Sequence, residues 1–86
     1  MKLLDLLGRR WSLRVLWELR KGPLNFRELR AACSDVSPTS LNLRLSELRG
    51  LGAIEAGDAG YQLTPAGKSL GDILLKLHDW AETHSA

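Results

Sequence analysis

Two helix-start signals stand twelve residues apart in this chain, Asn25-Phe26-Arg27-Glu28 and Ser37-Pro38, and only a helix of about two turns fits between them. Asn25 offers its side-chain oxygen to the N–H three residues on, and Glu28 reaches back to the Asn25 amide, the reciprocal arrangement of a capping box. Ser37 is a second cap, followed by proline at the first helical position, where a missing N–H costs nothing. The intervening Ser34-Asp35-Val36-Ser37 is polar apart from Val36, so the second helix begins within four residues of the first. A short helix, a tight turn and another capped helix spell a helix-turn-helix.

The flanking segments extend this unit. Leu3, Leu4, Leu6 and Leu7 form a short apolar stretch ended by Gly8. From Arg10 to Lys21 the apolar residues Trp11, Leu13, Val15, Leu16, Trp17 and Leu19 surround much of a helix, which must therefore be covered on more than one side. Gly22-Pro23 stops that helix and leaves Leu24 in a short extended link. Phe26, Leu29 and Cys33 then share one face of the capped helix.

The helix opened by Ser37-Pro38 runs to about Arg49 and turns Leu41, Leu45 and Leu48 inward. Its other side carries Thr39, Ser40, Asn42, Leu43, Arg44, Ser46, Glu47 and Arg49, and Gly50 or Gly52 ends it. Ala53-Ile54-Glu55-Ala56 and Tyr61-Gln62-Leu63 read as a hairpin with the four-residue loop Gly57-Asp58-Ala59-Gly60. Thr64-Pro65 repeats the cap-plus-proline start, and Leu70, Ile73, Leu74, Leu77, Trp80 and Ala81 form an apolar stripe along the last helix.

At 86 residues this is one domain with a small core, which a partner subunit would help to complete. Nineteen leucines against two valines and two isoleucines favour helix over strand. The expected fold is mainly α with a small β-hairpin wing, a winged helix-turn-helix occupying residues 1–86 as a single domain.

Chemistry is bounded as tightly. The single cysteine, Cys33, cannot close a disulfide within the chain, and with only His78 and His84 beside it no metal site is expected. No nucleophile–base pair or phosphate-cradling glycine loop stands out, so neither an enzyme nor a bound cofactor is expected. Asp5 breaks the N-terminal apolar stretch and nowhere do about 18 apolar residues run together, which points to a cytoplasmic protein with no membrane partner. Residues 1–49 hold ten Lys/Arg and five Asp/Glu, whereas residues 50–86 hold two and five. An anionic partner is expected for the first half.

The chain resembles the HxlR-type family of transcription regulators within the wider MarR-like group. The resemblance is carried by Leu7-Gly8-Arg9-Arg10-Trp11, Val15-Leu16-Trp17-Glu18-Leu19 and Gly22-Pro23-Leu24-Asn25-Phe26-Arg27-Glu28-Leu29-Arg30. It continues through Val36-Ser37-Pro38, Leu41, Arg44-Leu45 and Glu47-Leu48 to Tyr61-x-Leu63-Thr64-x-x-Gly67. It implies a homodimer that binds double-stranded DNA, with contacts between copies at the two chain ends; repression is the expected sign, since a small dimer lying over a promoter blocks polymerase by occupancy alone. The N-terminal Leu3, Leu4 and Leu7 and the C-terminal Leu70, Ile73, Leu74, Leu77 and Trp80 are the candidates.

For DNA, Ser37 fixes the start of the third helix and Thr39, Ser40 and Asn42 lie at the end that reaches base edges. Asn42 can pair with adenine, Leu43 can pack on a thymine methyl, and Ser46 follows on the same side. Arg27, Arg30, Arg44 and Arg49 are candidates for phosphate. The short wing carries Glu55 and Asp58 and no Lys or Arg, so minor-groove reading by the wing is not expected. Redox-sensing members carry a cysteine ahead of the first long helix, and the chain starts too late to hold one, so that mechanism is not expected either. A different class stays open: the acidic wing and an exposed Leu43 also suit a winged helix used for protein interaction. No small-molecule effector is specified.

Overall fold

The computed structural model describes residues 11–84. Its elements are α1 (Ser12–Leu19), α2 (Phe26–Ala32), α3 (Pro38–Leu51), β1 (Ile54–Gly57), β2 (Gly60–Leu63) and α4 (Pro65–His84). The expected winged helix-turn-helix is present; Leu3, Leu4 and Leu7 lie outside the described residues.

Local chemistry sets the boundaries. The Glu28 N–H donates to Asn25 Oδ1 at 2.8 Å and the Asn25 N–H to Glu28 Oε1 at 2.9 Å, completing the capping box. The Ser40 N–H donates to Ser37 Oγ at 3.2 Å, with Pro38 opening α3. At the far end Gly52, not Gly50, terminates α3, because Gly52 takes a left-handed conformation at φ 85° that glycine adopts without strain. The Thr64 hydroxyl accepts the Gly67 N–H at 3.0 Å and donates to the Gly52 carbonyl, so one side chain caps α4 and fastens it to the end of α3.

One feature departs from the sequence expectation and another adds to it. Gly57 pairs with Gly60, so the strands run one residue further on each side and the loop shrinks to Asp58-Ala59. Leu24, extended as expected, also forms an isolated antiparallel bridge with Tyr61, through Leu24 N–H to Tyr61 O at 3.0 Å and Tyr61 N–H to Leu24 O at 2.8 Å. The turn end of the hairpin is thus tied to the segment that leads into α2.

One core joins these elements. Val15, Leu16 and Leu19 of α1 meet Leu29, Cys33 and Val36 of the α2 region, Leu41, Leu45 and Leu48 of α3, and Ala53, Ile54 and Leu63 around the hairpin. The inward set read from the spacing of α3 is the buried set. Gly67 and Gly71 are the buried residues of α4, Leu70, Leu74 and Leu75 are half-buried, and from Lys76 on the helix is exposed.

Candidate nucleic-acid interface

The turn between α2 and α3 aims the third helix. Ser34 and Asp35 both adopt φ 57°, a left-handed conformation uncommon for residues with a side chain. Backbone bonds hold them there, from the Asp35 N–H to Arg30 O at 2.8 Å and from the Val36 N–H to Cys33 O at 3.2 Å. Arg30 braces the same turn, its Nε donating to the Val36 carbonyl at 2.7 Å. Arg14 links α1 to the end of α2 by donating from Nη2 to the Ala32 carbonyl and from Nε to Glu18, both at 2.8 Å.

With three leucines of α3 locked in the core, its outer side presents Thr39, Asn42, Leu43, Ser46 and Arg49 to solvent. Ser40 is half-buried, and the Ser37 hydroxyl is spent on the cap. Arg27 is exposed on α2.

The arginines named for phosphate separate into two kinds. Arg44 lies against the protein with its side chain 12% exposed, and its Nη2 meets Glu47 Oε1 at 3.1 Å. Arg30 is half-buried and committed to the turn. Among the described residues Arg27 and Arg49 make no such engagement. Both i, i+3 pairing and a bond to a carbonyl six residues away escape a reading by helix face, which sorts residues by direction and not by what they meet.

A cleft of about 560 Å³ separates α3 from β2, lined by Asn42, Leu45, Ser46, Arg49, Gly50 and Tyr61. Tyr61 was absent from the sequence-derived set because its neighbour here lies twelve residues back in α3. Its strand alternation marks a side chain, not a partner.

Cys33 is buried in the core. Burial pushes its thiol up from the ordinary range; the Arg14 cation draws it down, and Glu18 adds a smaller upward push. A raised thiol stays protonated at neutral pH and is a poor nucleophile. Iodoacetamide should therefore label Cys33 in native protein at least about tenfold more slowly than in urea-unfolded protein. Equal rates in the two states would show that the thiol reaches solvent.

The stripe along α4 also divides. Leu70 and Leu74 are half-buried and pack on the core of their own chain, whereas Ile73, Leu77 and Trp80 are 59%, 59% and 60% exposed. An apolar cleft of about 380 Å³ runs beside them, between Leu13, Arg14 and Trp17 of α1 and Leu74, Leu77, His78 and Ala81 of α4. Trp17 is central to this side, with the Arg20 guanidinium 4.1 Å above its ring and the His78 ring 4.9 Å away. Among the described residues no cluster of three or more His, Cys, Asp or Glu could hold a metal, and no helix is long and apolar enough to cross a membrane.

Comparison with known proteins agrees with this fold. The uncharacterised HTH-type transcriptional regulator YvaP of Bacillus subtilis is 32% identical over 93% of this chain and 81% of its own length. An uncharacterised HTH-type transcriptional regulator of Synechocystis is 34% identical over 94% of this chain and 68% of its own. The structure of quinone-bound YodB from Bacillus subtilis superposes with a TM-score of 0.84 at 30% identity, covering 94% of this chain and 92% of that one. The HxlR-like helix-turn-helix family model matches residues 6–86. The chain belongs to the HxlR-like helix-turn-helix family, whose members compared here are transcription regulators.

Proposed function

We propose that residues 1–86 act as one sequence-specific, duplex-DNA-binding domain that represses transcription as a homodimer, with α3 in the major groove. The observation that carries this reading is the division of α3: Leu41, Leu45 and Leu48 fix it to the core while Thr39, Asn42, Leu43, Ser46 and Arg49 face outward. A groove-reading helix needs both sides, one for anchorage and one for polar and methyl contacts. Asn42 and Leu43 read bases, Thr39 and Ser40 line the entry, and Ser37 sets where the helix begins. Arg27 and Arg49 take phosphates, and Arg44 and Arg30 support them from their braced positions.

Repression follows from occupancy, since a dimer lying over a promoter excludes polymerase without further machinery. The protein acts by binding and not by catalysis, in the cytoplasm where promoter DNA lies. Dimerisation uses the exposed apolar face of α4 with the N-terminal leucines.

The test separates reading from positioning, using a site selected from genomic fragments and a scrambled duplex. Asn42→Ala should cost about 1–3 kcal/mol on the selected site and little on the scrambled one. Arg49→Ala should weaken both alike, because a phosphate contact carries no base identity. Equal loss on both duplexes for Asn42→Ala, or no loss on either, would remove α3 from the groove. The protein-interaction reading, which the exposed Leu43 favours, would then take precedence.

A further inference from the structure

The cleft between α3 and β2 has an unusual lining. Asn42, Ser46, Arg49 and Tyr61 each bring an N–H or O–H donor to it, and among the described residues no carboxylate borders it. None of these four side chains makes a hydrogen bond or ion pair among the described residues. By contrast, the cleft of about 550 Å³ that includes the outer strand residues Glu55 and Gln62 sets Glu55 and Asp72 beside Arg20, Lys21 and Lys68. Only the first offers unspent donors around a cation with no competing negative charge, which is the chemistry an anion requires.

Its walls are fixed. Asn42, Ser46 and Arg49 recur at i, i+4 and i+7 along α3 and so line one side of it. Tyr61 is held opposite by its two backbone bonds to Leu24. Gly60 before it has φ 123°, and a Cβ there would come within 2.5 Å of the Leu24 carbonyl oxygen, so the strand is pressed against the segment leading into α2. The hairpin tip, with Asp58, offers no cation.

We propose that this cleft seats one phosphate of the duplex backbone, and that the Tyr61 hydroxyl donates a hydrogen bond to its non-bridging oxygen beside the Arg49 guanidinium and the Ser46 hydroxyl. Tyr61 is then a DNA-positioning residue supplied by β2, one strand pair behind the turn of the wing, whose loop Asp58-Ala59 brings no cation to a phosphate. This rests on the DNA-binding reading above and adds a contact that neither the sequence pattern nor the helix face contains.

The experiment measures binding of wild type, Tyr61→Phe and Arg49→Ala to the selected and scrambled duplexes across salt concentrations, with a thermal melt of each protein. It adds a series of selected duplexes in which single phosphates are replaced by neutral methylphosphonates. Tyr61→Phe keeps the ring and should melt with wild type while binding both duplexes about tenfold more weakly. Its salt slope should be unchanged, since a neutral hydroxyl releases no counterion, whereas Arg49→Ala should make the slope shallower by about one. At one methylphosphonate position the gap between wild type and Tyr61→Phe should close, while both bind more weakly than to the unmodified duplex because Arg49 loses its charged partner there. Wild-type affinity for Tyr61→Phe, with Arg49→Ala weakened, overturns the Tyr61 contact and leaves the DNA reading standing. Loss confined to the selected duplex overturns it too, in favour of a base contact. A wild-type protein with no affinity for any duplex overturns the DNA reading itself.

Discussion

Replacing Gly67 with alanine should cost the fold about 2 kcal/mol net, the balance of a clash worth about 3 kcal/mol and a helix-propensity gain of about 1 kcal/mol. The clash is with backbone: a Cβ on Gly67 would lie far inside van der Waals contact with the Ala53 carbonyl oxygen and 2.9 Å from its carbon. That oxygen accepts the Thr64 N–H at 3.1 Å, directly beside the bond from Thr64 to Gly52. Relief therefore requires either that α4 lift from the link after α3 or that the Thr64 bond be given up. For a domain of this size the loss should lower the melting temperature by about 8–16 °C.

Gly71, one helical turn later, is the control. A Cβ there meets only Leu63 Cδ1, at an ordinary 3.7 Å, so Gly71→Ala should be neutral or stabilise by up to about 1 kcal/mol. Melting of Gly67→Ala within a few degrees of Gly71→Ala would show that the seat of α4 against Ala53 is looser than described.

The second large effect concerns assembly. Leu77→Asp and Trp80→Asp should each convert a homodimer to single chains at micromolar concentration without unfolding the protomer. Burial of such a side chain is worth about 1.5–3 kcal/mol, and a two-fold interface counts it twice, giving about 3–6 kcal/mol. That corresponds to roughly two to four decades in the dimer dissociation constant. Both residues are about three-fifths exposed and contribute little to their own core, so helix content should persist. Leu74→Asp would be a poorer probe, because Leu74 packs on the core and its loss would destabilise the protomer as well. Sedimentation of wild type as one chain, or of either variant as two, would exclude this face of α4 from the interface.

The sequence by itself determined the elements whose causes are local. Capping residues act within a turn of backbone, so Asn25 with Glu28, Ser37 with Pro38, and Thr64 with Pro65 mark the starts of α2, α3 and α4 where they occur. Helical spacing likewise named Leu41, Leu45 and Leu48 as the inner side of α3. Tertiary structure decided what depends on residues far apart in the chain. The Leu24–Tyr61 bridge, the seat of Gly67 on Ala53 and the division of the α4 stripe into docked and exposed residues each depend on segments that no local period relates. The candidate site shows the same boundary. The outward residues of α3 follow from one helix and were legible, whereas the brace of Arg30 on Val36 and the placing of Tyr61 opposite Arg49 exist only once the turn has closed and the hairpin has folded back.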